Sequence, residues 1–344
     1  MESVTVLLVV VVIMVVLFDF TNGFHDAADM VATAIASRAM RPAVAIAIVT
    51  VFTFIAPFSV GLAVADTVGT FVDISDVSPM VGGSLVIAAL GAAVSYNLAT
   101  WRLGFPSSSS NSLAGGLVGA GLYAVGAGHI NWGLAALQAG SLDGVMKVVA
   151  GLFVSPLLGF ALGFVVMKLL FHLLQGARSS VRRVFVASQY LSVAWLGFSH
   201  GANDAQKGMA VIAMMLLASG VTPGFTVPTW VILLCASSIT VGTMFGGWKI
   251  IKTLGFGLFR VKLIHSVASQ VGAAAVNSLA TALGAPTSTT QVVTASLLGN
   301  GAAEKPSHVR WRTAAGIVAG WWFNVPSSML LGAWYCWLCL KLWG

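Results

Sequence analysis

The sequence predicts an all-α polytopic membrane protein made of two inverted-topology repeats, each of about five segments with broken helices and a fourth segment able to fold as a re-entrant hairpin. Three observations predict it: an apolar composition, a polar motif that recurs about 178 residues later, and loop charges that change sides between the halves. Of 344 residues, 58% are hydrophobic and 8% charged, and mean hydropathy is +0.95. No water-soluble fold of this size could dress such a composition in polar surface. The net charge of +7 does not point to nucleic acid, because the 17 Lys and Arg lie mostly in short loops between apolar runs, where they act as topology signals.

A hydrocarbon core of about 30 Å needs about 20 helical residues to cross it. On that measure the segments fall near 4 to 37, 43 to 65, 81 to 101, 105 to 124 and 144 to 175, then 185 to 218, 228 to 250, 263 to 283, 287 to 301 and 313 to 340. The first run is preceded by Glu2 and no basic residue, which reads as a retained helix and not a cleaved signal. The first segment of each half is expected to break at a motif glycine. The fourth segment of each half is short and opens on a polar cluster, so ten spans could become twelve.

Two motifs recur in order. Phe20-Thr-Asn22-Gly23-Phe-His25-Asp26-Ala-Ala-Asp29-Met30 is echoed by Phe198-Ser-His200-Gly201-Ala-Asn203-Asp204-Ala-Gln206-Lys207-Gly-Met209, with one slip. Leu103-Gly-Phe-Pro106-Ser107-Ser108-Ser109-Ser110-Asn111 is echoed by Leu283-Gly-Ala-Pro286-Thr287-Ser288-Thr289-Thr290-Gln291. A carboxylate at bilayer depth costs about 2.5–3.5 kcal/mol on insertion scales, so two in matched positions mark an ion or substrate pathway.

Loop charges orient the halves. Arg38 and Arg41 follow the first segment, whereas the matching loop near Ser219 to Pro228 has no Lys or Arg. After the second segment Asp66, Asp73 and Asp76 are matched by Lys249, Lys252, Arg260 and Lys262, and the loop with Asp143 and Lys147 is matched by Lys305, Arg310 and Arg312. Under the positive-inside rule equivalent loops face opposite sides. The reading is a first repeat over 1–177, a cytoplasmic linker over 178–184 with Arg178, Arg182 and Arg183, and a second repeat over 185–344, with both termini outside a plasma membrane. Inverted repeats with discontinuous helices are the architecture of secondary transporters, whose sites lie at midplane where the repeats meet.

Each hydroxyl cluster follows a proline that can open a helix, and its Ser or Thr can cap the free amides. Opposed by the inversion, two such N-termini could bind one tetrahedral oxyanion through Ser107, Ser108, Ser109, Ser110, Thr287, Ser288, Thr289 and Thr290, with Gln206 and Lys207 nearby. The plainer reading is hydrogen bonding between packed helices. In the other motif His25 and Asp29 lie four apart and Asp26 and Asp29 three apart, so they share a helical face. Asn22, Asp26, Asn203 and Asp204, with carbonyls freed at the helix breaks, are hard oxygen ligands for Na⁺, or for H⁺ with Asp29, His25 and His200. Asp29 and Lys207 could instead pair across the pseudo-twofold axis. A divalent anion beside Asp26 and Asp204 in low dielectric needs co-bound cations or protons. His129, His172, His265 and His308 sit near segment ends, Cys235, Cys336 and Cys339 read as packing, and Trp101, Trp132, Trp248, Trp311, Trp321 and Trp322 read as interface anchors.

At these four motifs the chain resembles the PiT family of inorganic phosphate transporters over nearly its whole length. The resemblance implies uptake of inorganic phosphate driven by Na⁺ or H⁺ across a lipid bilayer, in some bacterial members as a neutral complex with a divalent metal. It also implies an inverted-repeat fold and a homodimer. Three positions depart from the family: Asp29 stands where Asn is usual, and Asn111 and Gln291 stand where His usually follows the hydroxyl cluster, which leaves the coupling ion more open than the substrate. Two other readings compete, a sulfate permease of the same fold and a passive anion channel. An intramembrane enzyme is disfavoured because no nucleophile and base stand together.

Overall fold

The computed structural model describes residues 2–176 and 181–343. The described residues form thirteen α-helices. In the first half these are α1 (Glu2–Ala36), α2 (Pro42–Ile55), α3 (Ala63–Gly69), α4 (Pro79–Leu103), α5 (Ser109–Ala124), α6 (Leu134–Gln138) and α7 (Gly144–Leu173). In the second they are α8 (Val181–Ala218), α9 (Thr229–Phe245), α10 (Trp248–Gly257), α11 (Leu263–Ala282), α12 (Thr289–Glu304) and α13 (Trp311–Trp343). Of the linker expected at 178–184, residues 178–180 with Arg178 lie outside the described residues, and α8 has begun by Val181.

The helices pair by one scheme in both halves. α1 packs on α9 as α8 packs on α2, α5 packs on α13 as α12 packs on α7, and α1 packs on α4 as α8 packs on α11. Glycines make these crossings close. A Cβ on Gly23 would lie 2.0 Å from the carbonyl oxygen of Ile239 in α9, and one on Gly201 would lie 2.3 Å from that of Thr53 in α2. Without a hydrophobic drive between helices in lipid, small residues at the seam let backbones approach and gain dispersion energy.

These contacts overturn one expectation. α1 and α8 run through Gly23 and Gly201 without a break, because each glycine is needed for a neighbour's backbone and the surrounding residues keep the helix intact. The breaks fall in the second segment of each half, where α2 with its following 3₁₀ turn meets α3 at 75° and α9 meets α10 at 68°. Among the described residues three helices are long and apolar enough to cross a membrane, or five if each bent pair is one span.

The fourth segments explain part of the gap from ten. α5 and α12 have 16 residues each, about 24 Å of helix at 1.5 Å per residue, too short for a core of about 30 Å. α4 starts beside Leu7, which lies over Gly83, and α5 ends beside Val72 and Ile130, which touch Gly121. Between them the chain turns at Gly104, a left-handed C-cap with φ of 71°. The tip is level with the middle of α1: Trp101 lies 4.8 Å from Phe24, ring to ring, and Ser109 hydrogen-bonds Asn22 at 2.6 Å. α11 and α12 form the matching hairpin, turning at Gly284 with φ of 64°. It enters from the other end, where Glu304 pairs with Lys262 and lies 3.0 Å from His265, and where Gly255 meets Ala32 and Ala36 near the end of α1. The two hairpin tips therefore meet head to head at mid-depth, and α5 and α12 run away from the meeting point toward opposite ends of α1.

Candidate functional site

Both returning helices open with the same cap. Ser108 accepts from the Asn111 amide at 3.1 Å, and Ser288 accepts from the Gln291 amide at 3.3 Å. These caps fix where α5 and α12 start, and so place the following hydroxyls against the motif faces of α1 and α8.

Around the second motif, Lys207 is 1% exposed and uses all three of its hydrogens. Its Nζ donates to Asp204 Oδ1 and Ser110 Oγ, both at 2.5 Å, and to the Thr287 carbonyl at 2.9 Å. Ser110 also donates to that carbonyl at 2.6 Å. Asn22 of α1 bridges to the same group, donating to Asp204 Oδ2 at 3.3 Å and accepting from Ser109 at 2.6 Å.

The first motif is the image of this arrangement under the offset of about 178 residues. His200, the counterpart of Asn22, has Nδ1 3.9 Å from Asp26 Oδ2 and 3.3 Å from Thr289 Oγ1. Thr290, the counterpart of Ser110, donates to Asp26 at 3.1 Å and contacts Asp29 at hydrogen-bonding range. His25 Nδ1 lies 3.2 Å from Asp26 Oδ1. The charge inverts between the halves: Asp29 stands where the other half has Lys207. A hydroxyl has one hydrogen, so Thr290 cannot satisfy Asp26 and Asp29 together when both are ionised. His25, Asp26 and Asp29 each offer a ligand atom within 4.8 Å of the others, as do Asp26, His200 and Asp204. All of them are buried.

The expected site residues therefore divide. Asn22, His25, Asp26, Asp29, Asp204, Lys207, Ser109, Ser110, Thr289 and Thr290 converge, with the backbone of Thr287. The others hold the scaffold. Gln206 accepts from the Val64 and Ala65 amides, both at 3.0 Å, and donates to the Gly61 carbonyl at 2.9 Å, so it caps the N-terminus of α3. Asn203 fixes the second tip, accepting from the Thr287 amide at 3.0 Å and donating to Thr281 and the Ala285 carbonyl. Ser108 and Ser288 are caps. Ser107 accepts from Asn324 at 3.0 Å. The alternative pairing of Lys207 with Asp29 does not form, because Asp204 one turn away on the same helix takes the ammonium.

Sequence reasoning missed three contributors. Asn324 in α13 binds Ser107, the Ser108 carbonyl and Ser112, and Asn277 in α11 reaches Thr289 and Thr287. Asp19 in α1 is 0% exposed. A buried amide in an apolar helix is the signal that was available for the first two.

A cavity of about 20 Å³ lies between Ser110, Lys207, Pro286 and Phe71, enough for about one water molecule. Seating a tetrahedral anion between the tips requires Ser110 and Thr287 to part. Chemically, the place combines amide and hydroxyl donors from two helix N-termini, one ammonium, and a carboxylate cluster short of positive charge.

Comparison with known proteins fits this geometry. The family model for the phosphate transporter family matches residues 22–184 and 175–332. The chain belongs to the phosphate transporter family. Relatives in it include a probable low-affinity inorganic phosphate transporter of Rhizobium meliloti (strain 1021), 38% identical over 330 residues, covering 95% of each chain. A protein of the same description from Bacillus subtilis (strain 168) is 36% identical, covering 97% of each. A solved structure described as the sodium-dependent phosphate transporter superposes with a TM-score of 0.85 at 25% identity, covering 98% of this chain and 100% of the other. The family is one of transporters and not of enzymes, and the all-helical fold of this chain is the fold of that neighbour.

Proposed function

We propose that this chain takes up inorganic phosphate together with a cation, Na⁺ or H⁺, by opening one central site alternately to the two sides of the membrane. The observation that carries the coupling is the exchange of Lys207 for Asp29 at equivalent positions. In the second half Lys207 is a built-in cation that neutralises Asp204. In the first half Asp29 stands in its place, so Asp26 and Asp29 need a cation from solution before a phosphate can approach. Phosphate is held by the α5 and α12 N-termini through Ser109, Ser110, Thr289 and Thr290 with Lys207, and the cation by Asp26, Asp29 and His25 with Asn22 and Asp204 at its border. Gln206, Asn203, Ser107, Ser108, Thr287 and Ser288 position these groups. The names of the relatives support the substrate, and the sodium-dependent neighbour supports a co-transported cation.

The pseudo-symmetric packing supports two repeats, over 1–177 and 185–344 with the linker over 178–184. The basic end of the molecule, where Arg38, Arg182, Arg260, Lys262 and Arg310 line a cavity of about 630 Å³, faces the cytoplasm in this reading, which places both termini outside a plasma membrane. Homodimer assembly and carriage of a divalent metal with phosphate are proposed from the family resemblance alone.

The test is labelled-phosphate uptake into proteoliposomes under an imposed Na⁺ or proton gradient at matched membrane potential, with sulfate as competitor. Concentrative uptake under one gradient, resistant to sulfate, is expected. Equilibration under either gradient would point to a channel, and equal competition by sulfate to a sulfate permease.

A further inference from the structure

Asp19 is the one buried carboxylate of α1 that the symport reading leaves without a task. It lies two turns before Asp26, and at the helical period Asp19, Asn22, Asp26 and Asp29 form one stripe along α1. The stripe begins toward the end of α1 that packs on α4 and passes through the hairpin tips. Asp19 is 0% exposed, its carboxyl oxygens meet no nitrogen or oxygen donor, and the weakly donating Cys235 thiol of α9 is the one donor beside it.

The protein makes room for this carboxyl group. Asp19 faces Gly208 of α8, where a Cβ would lie 2.5 Å from Oδ2 and 2.6 Å from Oδ1. Gly208 directly follows Lys207, so the carboxyl sits one turn beyond Asp204 on the neighbouring helix. The other half does without the feature. At the offset of 178 residues the counterpart of Asp19 is Gly197, and Gly208 is the residue that the slip adds before Met209, so building a repeat does not require an acid here.

The surroundings select the ligand. The groups that act on Asp19 from neighbouring elements are Asp204 and Lys207 of α8 and Cys235 of α9. Lys207 is already engaged by Asp204, Ser110 and Thr287. The remaining elements packed on α1 carry ionisable side chains only at Tyr96 and Arg102 of α4, Lys249 and Lys252 of α10, His265 of α11 and Glu304 of α12, and α2 carries none. An isolated carboxylate in this setting is costly. A metal ion needs several oxygen ligands, whereas Asp19 belongs to neither of the ligand clusters found among the described residues. A proton needs one.

We propose that Asp19 is a proton-binding site of the transporter, the outer station of a cation route that runs along α1 through Asn22 and Asp26 to Asp29. The inference rests on the symport reading above and adds a carrier and an entry point. Asp19 holds its proton as a neutral carboxylic acid while buried and exchanges it when the outer side opens.

The test uses the full-length protein in proteoliposomes. Infrared spectra of wild type, Asp19→Asn and Asp19→Glu are compared at the carboxylic-acid carbonyl stretch, and phosphate accumulation is followed under a proton gradient. Asp19→Asn keeps the size of the side chain and is expected to lose one carboxylic-acid band together with the response to the proton gradient. Asp19→Glu is expected to shift the band and keep the response, and reads the same group should the Asn variant fold poorly. If wild type responds to the proton gradient and Asp19→Asn keeps both band and response, the proposal is overturned while the symport reading stands. If wild type concentrates phosphate under neither a Na⁺ nor a proton gradient, the symport reading falls and the transport role of Asp19 falls with it.

Discussion

Asn22 of α1 donates its side-chain amide to Asp204 of α8 across 3.3 Å, and its counterpart His200 of α8 faces Asp26 of α1 at 3.9 Å. Asn22 thus bonds the acid of the other copy, and His200 stands between the two acids, 3.5 Å from Asp204 of its own helix. A change at either acid is felt in both halves, which is what a site shared between moving repeats requires.

The buried pair of Lys207 and Asp204 should be costly to break and less costly to remove. Lys207→Met leaves Asp204 uncompensated and should lower stability by about 3–5 kcal/mol, read as a lower melting temperature in detergent. Adding Asp204→Asn should recover much of that stability and leave phosphate uptake abolished. A double variant that transports normally would contradict the assignment of both residues.

Asp29 should set the cation requirement. Asp29→Lys gives the first half the same internal cation as the second, so phosphate binding should become independent of added Na⁺ and of pH while accumulation is lost. Isothermal titration with phosphate at several Na⁺ concentrations and pH values checks this, and an unchanged cation dependence would place the coupling ion elsewhere.

Glycines at crossings and glycines in the open should respond with opposite sign. Gly201→Ala places a methyl group 2.3 Å from the Thr53 carbonyl oxygen and should cost about 1–3 kcal/mol. Gly316→Ala, which meets nothing within 4 Å on the outer face of α13, should be neutral or gain about 0.5–1 kcal/mol through helix propensity. Thermal unfolding of the two variants side by side decides the point.

Gln206 should act on movement and not on phosphate affinity. Gln206→Ala uncovers the Val64 and Ala65 amides, worth about 1 kcal/mol as a lost cap, and should slow turnover with little change in KM. A large rise in KM at unchanged turnover would return Gln206 to the phosphate site.

Much of this was legible because duplication doubles each signal. Asp26 with Asp204 and Ser110 with Thr290 could be read as functional because each had a partner at the same offset, and their convergence needed only the inversion. Asp19 and Asn324 have no polar twin and were passed over. The bends were misplaced for a physical reason: Pro57, Gly61, Gly246 and Gly247 lay inside strongly apolar runs, whereas Gly23 and Gly201 lay beside polar residues. A glycine in a helix looks the same in sequence whether it breaks the helix or admits a neighbour's carbonyl. Only the crossing partners, Ile239 and Thr53, separate the two cases.

The central claim is that phosphate and a cation cross together through the cluster around Asp26 and Asp204. The most direct measurement adds phosphate to the outside of proteoliposomes and records Na⁺ and proton entry with no other gradient imposed. The account predicts that phosphate entry draws one of these cations in at a fixed ratio, and that Asp26→Asn and Asp204→Asn each abolish the paired flux. Phosphate equilibrating with no cation movement, or paired flux persisting in both variants, would contradict it.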